Sequence, residues 1–270
     1  MRYSVITINY NNHVGLRQTI DSVVSQTCDG FEFIIIDGGS TDGSIDVIKK
    51  YVDRINFWVS EKDRGIYHAM NKGVTHSHGD YCIFMNSGDA FYDNRVLETV
   101  SKCMTNEDIL VGKVIIDDQN HIISPPPTSG QMTLYHLYSG SIPHQGSFIK
   151  TDLLRKYPYD ETLKISSDWK FFVQTLILDN CSIRYIDEFV ACYDMNGFSA
   201  ANPKLMREEK DKVLEEMFPS RVLADYHRMK DSECLTQTLT PLLRKYYGID
   251  KLVYKFCKLL LKIRIKTPII

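Results

Sequence analysis

Carboxylates that end apolar runs are the residues best placed to do chemistry in this chain. Phe31 to Gly43 reads Phe-Glu-Phe-Ile-Ile-Ile-Asp-Gly-Gly-Ser-Thr-Asp-Gly. A β-branched run that stops on Asp37, two glycines and two hydroxyls reads as a buried strand entering a turn that starts a helix. Ligands bind at the carboxyl ends of strands in open α/β sheets. Asp37 therefore either helps hold a ligand or, with Ser40, merely forms the turn and caps the next helix. Asn9 to Asn12, Ser60 to Gly65 and Asn86 to Asp89 also follow strand-like runs and supply Asn, Asp, Ser or Arg. Four such loops on one sheet edge favour a nucleotide-sized site over ordinary solvated loops.

The elements that must position these loops follow from hydrophobic period. Tyr3 to Tyr10, Phe31 to Asp37, Ile55 to Ser60 and Tyr81 to Met85 are strand-like. Val14 to Ser25, Asp42 to Tyr51 and Ile66 to Thr75 repeat apolar residues at helical spacing. Strands alternating with helices mean βαβ units, and right-handed crossovers put every strand-end loop of this half on one edge. The second half is more mixed. Asp93 to Met104 reads as a helix, Ile109 to Ile116 and His121 to Ile123 as a hairpin, and Ser147 to Lys150 as a strand. Ser167 to Leu178 reads as a helix, Ser182 to Ile186 and Phe189 to Tyr193 as two short strands, and everything from Pro203 onward as helices. The fold class is α/β, a Rossmann-like mixed, mainly parallel sheet flanked by helices, with a helical C-terminal extension.

Bulk properties narrow the function classes. With 270 residues, 43% hydrophobic and 24% charged, the chain has the composition of an ordinary globular protein. Its formal net charge of −2 argues against nucleic acid as a partner. The seven cysteines are scattered without short paired spacings and read as reduced, structural thiols. No secretory signal and no apolar run of about 20 residues is visible, so a cytoplasmic location is the expectation.

Four ordered stretches carry a family resemblance. They are Ser4-Val5-Ile6-Thr7-Ile8-Asn9-Tyr10-Asn11, Ile35-Ile36-Asp37-Gly38-Gly39-Ser40-Thr41-Asp42-Gly43, Ser60-Glu61-Lys62-Asp63-Arg64-Gly65-Ile66-Tyr67-His68-Ala69-Met70-Asn71-Lys72-Gly73, and Phe84-Met85-Asn86-Ser87-Gly88-Asp89. In order and spacing the chain resembles the family 2 glycosyltransferases of the GT-A fold over residues 1 to about 200. The resemblance implies a nucleotide-sugar donor, usually a UDP- or GDP-sugar, a divalent metal (Mn²⁺ or Mg²⁺), and inversion at the anomeric carbon. It also implies a GT-A domain over residues 1–218, with a nucleotide-sugar-binding half (1–90) and an acceptor half (91–218), followed by the extension at 219–270.

Roles follow from the matched positions. Thr7, Asn9, Asn11 and Asp37 fall where the family holds the base. Asp63 and Arg64, with Ser87 and Gly88, fall where it meets the rest of the donor, although Asp63 also reads as a residue that orients Arg64, and Arg64 as a surface residue. A departing diphosphate needs its developing charge neutralised by a cation. Asp89 is the expected hard-oxygen metal ligand, or else a cap for the helix after Asp93. Relatives often carry two or three carboxylates at this turn; Asn86-Ser87-Gly88-Asp89 has one, which predicts weak metal binding without donor. Inverting transfer needs one general base. Asp168, in Ser166-Ser167-Asp168-Trp169, matches the family's base, with an N-terminal cap as the alternative reading. His144 and Gln145 match an element near the acceptor, and Trp169 offers an apolar wall for a sugar ring. His144 reads equally well as a structural histidine.

The tail differs from the body. Residues 241–270 hold eight Lys/Arg and one Asp, net +7, against 24 basic and 33 acidic residues, net −9, elsewhere. Lys251, Lys255, Lys258, Lys262 and Lys266 share one helical face. This pattern reads either as a helix attracted to an anionic membrane surface or as a C-terminal helix packed on an acidic body. The function expected is glycosyl transfer to a glycan or lipid-linked glycan in surface polysaccharide assembly, with the enzyme peripheral on the cytoplasmic face. A nucleotidyltransferase is a rival, but Thr7 to Gly15 has one Gly and no Lys or Arg where a basic phosphate loop would stand. The other rival is a non-catalytic nucleotide or glycan binder docked at the membrane.

Overall fold

Every residue of β1 (Tyr3–Asn9) is buried, as is all but the first of β2 (Phe31–Asp37). Such runs fit only the middle of a sheet covered on both faces. The computed structural model describes residues 3–116, 122–123, 132–194, 197–231 and 255–256. β3 (Phe57–Ser60), β2, β1 and β4 (Tyr81–Phe84) lie side by side and parallel. They are linked through α1 (His13–Val24), α2 (Ser44–Lys50) and α3 (Ile66–Thr75). Leu16, Ile20 and Val23 of α1 join Val5, Phe33 and Ile35 of the sheet in one buried core. α3 lies close to β1 because Gly73 has no side chain; a Cβ there would sit 2.4 Å from Ile6 Cγ2.

The sheet continues beyond β4 with mixed polarity. β5 (Ala90–Phe91) and α4 (Val96–Cys103) precede β6 (Ile109–Ile115), which pairs antiparallel with β7 (Ile122–Ile123) as the hairpin reading expects. α5 (Leu134–Ser139) leads to β8 (Ser147–Lys150), α6 (Thr151–Lys156) and α7 (Ser167–Phe172), and α7 runs on as a π-helical turn over Val173–Leu178. Among the described residues the strand order, with β9 spanning Ile183–Cys192, is β3-β2-β1-β4-β8-β6-β9-β5. The two short strands expected at 182–193 are one, β9 (Ile183–Cys192). Opposite Val111 and Lys113 of β6 stand Tyr185 and Phe189. The strand bulges over the polar Asp187-Glu188 pair, which in the sequence looks like a break.

α8 (Phe198–Ala201) and α9 (Pro203–Met217) follow. The chain forms two units, Met1–Val213 and Leu214–Ile270. Within the second, residues 220–231 are helical. Most of the expected basic amphipathic helix lies outside the described residues; Lys255 and Phe256 are helical, and Phe256 is exposed. Among the described residues no helix is long and apolar enough to cross a membrane.

Candidate active site

Strand register sets the first part of the site. Asn9 pairs with Asp37 and Asp37 with Ser60, so the last residues of β1, β2 and β3 stand abreast. Asp37 is fully buried. Asn9 Nδ2 (2.7 Å) and Ser40 Oγ (2.6 Å) donate to its Oδ1. Ser60 Oγ (2.5 Å) and the backbone N–H groups of Ser40 (2.9 Å) and Gly39 (3.2 Å) donate to Oδ2. Burial raises the proton affinity of this carboxyl, but the donors from Ser40, Ser60 and Asn9 outweigh it and hold the group below the usual carboxylate range. Five protein donors occupy the acceptor capacity of a carboxylate, so Asp37 organises the loops around it. Asn11, in left-handed backbone at φ 48, accepts from Thr41 N at 2.8 Å and donates its own N–H to Ser40 Oγ at 2.8 Å. Thr7 is not brought to this edge: it is buried and donates to Met85 O at 2.7 Å.

The loop after β3 carries a charged network. Asp63 accepts from Lys72 Nζ at 2.7 Å and lies 2.9 Å from His68 Nδ1. Arg64 reaches outward, its side chain 70% exposed, to Glu161 Oε2 at 2.5 and 3.2 Å. From the next turn of α3, Asn71 pairs with the main chain of Tyr159 in both directions, at 2.8 and 2.9 Å.

The turn after β4 brings acids together. Gly88, at φ +109, donates its N–H to Thr19 Oγ1 at 3.0 Å. Asn12 Nδ2 donates to Ser87 O (3.2 Å), and Ser87 Oγ to Asn12 O (3.1 Å). Asp89, 4% exposed, accepts the N–H of Asp194 at 3.0 Å. Burial pushes its carboxyl up to about 6, with the neighbouring Asp194 charge adding to the rise; the Asp194 N–H, His144 and the Gln145 side chain act the other way. A Cβ on Gly88 would sit 2.6 Å from Asp194 Oδ2, so this second carboxylate lies against the turn. Sequence reading missed Asp194. Its signal was the one that singled out Asp37: an acid at the carboxyl end of an apolar run, here Phe189 to Tyr193. Asn86 Oδ1 is buried without a hydrogen-bond partner among the described residues. No cluster of three His, Cys, Asp or Glu side chains suited to a metal occurs among them. Two acids and a neutral oxygen fit a cation shared with a diphosphate better than one held by protein alone.

Asp168 stands in the first turn of α7. Tyr67 Oη lies 2.9 Å from its Oδ1, and His144 Nδ1 lies 3.1 Å from its Oδ2. Burial raises the proton affinity of Asp168, but hydrogen bonding and charge from His144, with the phenol of Tyr67, hold it below the usual carboxylate range. For His144, burial acts to lower the pKa, and Asp168 and Asp89 more than offset it and raise it above the ordinary 6.5. The other ring nitrogen, Nε2, is 3.2 Å from Asn86 Nδ2. One chain of contacts thus runs from the Asn86–Asp89 turn through His144 to Asp168 and Tyr67. Two other expected residues turn inward. Trp169 is 2% exposed and donates Nε1–H to Leu137 O at 2.8 Å, so its ring presents no open face to a sugar. Gln145 is 5% exposed and serves Asp89 instead of an open acceptor surface.

The model of the family described as Glycosyl transferase family 2 matches residues 4–155. A PGL/p-HBAD biosynthesis glycosyltransferase of Mycobacterium tuberculosis is 28% identical over 203 residues, covering 72% of this chain and 77% of that one. An uncharacterized glycosyltransferase of the same organism is 30% identical over 244 residues, covering 84% and 82%. Among solved structures, S. aureus TarS 1–349 in complex with UDP-GlcNAc is similar with a TM-score of 0.66 and 19% identity, over 80% of this chain and 66% of that one. Against a longer TarS chain the match spans only 39% of that chain. The mannosyltransferase PcManGT from Pyrobaculum calidifontis, in complex with GDP-Man and Mn²⁺, is similar with a TM-score of 0.56 and 17% identity, over 71% and 56%. The mixed α/β sheet and these likenesses establish the GT-A fold.

Proposed function

The chain belongs to glycosyl transferase family 2 and is a glycosyltransferase, and we propose that it transfers a sugar, with inversion, from a nucleoside diphosphate donor to a hydroxyl of a glycan or lipid-linked glycan. The observation that carries this reading is the chain of contacts joining Asp168 to the Asn86–Asp89 turn through His144, at 3.1 and 3.2 Å. In this reading Asp168 is the base, and His144 links it to the turn whose acids face the leaving group.

The donor lies across the ends of β1, β2, β3 and β4. UDP is the favoured nucleotide, from the family resemblance and the UDP-GlcNAc complex of TarS. Asp37, with the buried Asn9 bound to it, sets the loop shape, while Asn11 and Tyr10, 67% exposed, face the base; a flat aromatic suits stacking. Asp63 orients Lys72 and the loop carrying Arg64. The Arg64–Glu161 pair is too exposed to be worth more than about 1 kcal/mol, so Arg64 is free to exchange Glu161 for a diphosphate oxygen.

Asp89 and Asp194, with Asn86, are the residues that would hold Mn²⁺ or Mg²⁺ together with the diphosphate. When bound, the cation supplies charge neutralisation for the leaving group. Asp168 takes the proton of the acceptor hydroxyl as that oxygen forms the new bond to the anomeric carbon. The bond to the diphosphate breaks, and its electron pair leaves on the diphosphate oxygen. The reading of 1–218 as the transferase domain and 219–270 as a peripheral anchor belongs to the same proposal.

The test is a screen of UDP- and GDP-sugars for Mn²⁺-dependent thermal stabilisation, followed by transfer assays with the best donor. Asp168→Asn is expected to retain donor stabilisation and lose transfer by about 10²- to 10⁴-fold. Arg64→Ala is expected to weaken donor binding. No stabilisation by any nucleotide, or undiminished turnover in Asp168→Asn, refutes the respective part.

A further inference from the structure

Tyr67 has no part in the reading above, yet its placement is unusual for a core tyrosine. It sits in the first turn of α3, is 5% exposed, and its hydroxyl has two acceptors: Ile165 O at 2.5 Å and Asp168 Oδ1 at 2.9 Å. A phenol carries one proton and can fully satisfy one acceptor at a time. α3 follows directly on the loop with Asp63 and Arg64, and Asn71 one turn later bonds the main chain of Tyr159 in both directions. The segment that carries the base is therefore docked on the helix that carries the donor loop.

We propose that Tyr67 is a positioning residue for the base: its hydroxyl donates to the Asp168 carboxylate before reaction and turns to the Ile165 carbonyl once Asp168 has taken the acceptor's proton. The proton bookkeeping closes. The acceptor hydroxyl gives its proton to Asp168; the neutral carboxyl then donates to Tyr67 Oη, whose own O–H points to Ile165 O. When Asp168 releases that proton to water, the phenol turns back. No proton is stored on Tyr67. This agrees with burial, and the Asp168 charge after it, raising the phenol's pKa well above the ordinary 10.0. His144 holds the second oxygen at 3.1 Å, so the carboxylate keeps its orientation as the phenol turns. The groups facing Asp168 are thus His144, Tyr67 and the buried phenol of Tyr159.

The proposal rests on Asp168 being the base, and the experiment separates the two. The full chain labelled with carboxyl-¹³C aspartate is titrated by NMR, the Asp168 signal being identified by its loss in Asp168→Asn. In Tyr67→Phe, whose ring keeps its place 5.5 Å from Tyr159, the Asp168 titration is expected to move up by about one pH unit. A charged carboxylate gains more from the phenol than a neutral acid does. With the best donor of the screen, kcat is expected to fall about tenfold or more while the donor dissociation constant stays within twofold. In an Asp168→Asn background the same change is expected to cost nothing further. An unmoved titration overturns the proposal, and so does a shifted titration with undiminished kcat. Full turnover in Asp168→Asn removes the base assignment and leaves the titration to decide the hydrogen bond alone.

Discussion

Gly88→Ala tests whether Asp194 belongs to the site. Two effects act at this position. At φ +109 an L side chain is strained by on the order of 1–3 kcal/mol. In addition the new Cβ would stand 2.6 Å from Asp194 Oδ2, 3.1 Å from its Cβ and 3.2 Å from its Cγ. The Asp194 side chain must swing away, or the turn must shift, at a further cost of about 1–3 kcal/mol. The sum, roughly 2–6 kcal/mol, corresponds to about 4–20 °C in Tm for a chain of this size. Differential scanning fluorimetry without ligand reads this loss. The same scan with UDP and Mn²⁺ reads function, because ligand stabilisation follows mass action. We expect the Mn²⁺-dependent increment to disappear in Gly88→Ala while the increment from UDP alone survives. Adding Asp194→Ala removes the Oδ2 and Cγ contacts but not the backbone strain, so it is expected to recover part of the thermal loss and none of the Mn²⁺ increment. An unchanged Tm with an intact Mn²⁺ increment in Gly88→Ala would refute the placement of Asp194 against this turn.

Two further outcomes follow from other parts of the chain. Glu32 is buried and accepts from Ser4 Oγ at 2.5 Å, from the backbone N–H groups of His78 and Gly79, and faces the His78 ring. Burial raises its proton affinity, yet these donors hold its pKa below the ordinary 4.5. A depressed folded pKa stabilises the fold above about pH 4.5 and loses that contribution as pH falls through and below this value. Glu32→Ala is therefore expected to cost about 2–4 kcal/mol at pH 7 and less at pH 3.5, read as urea midpoints; a constant difference would count against the charged hydrogen bonds. For the basic tail, the full chain is expected to sediment with phosphatidylglycerol vesicles and the chain lacking residues 249–270 to remain in the supernatant. Equal sedimentation would sink the surface-helix reading.

Local pattern alone was enough for the four parallel strands, their crossover helices and the edge on which the loops gather. Each depends on hydrophobic period and on the handedness of βαβ units, which short windows of sequence already contain. The four ordered motifs also made the family legible, and with it Asp37, Asp89 and Asp168 as acids worth naming. Tertiary structure decided what each acid touches. Asp37 could be read as an open acceptor until strand register placed Asn9 and Ser60 beside it and filled its lone pairs. Trp169 looked available to a sugar because a helix start says nothing about which face the core covers. Asp194 lies 105 residues from Asp89 along the chain, and Tyr67 lies 101 from Asp168. Those contacts arise only when β9 pairs with β5, setting Cys192 opposite Ala90, and α3 packs next to the segment before α7. A carboxylate's identity is written in the chain, but its partners, and so its charge and chemistry, come from elements that the chain brings together only on folding.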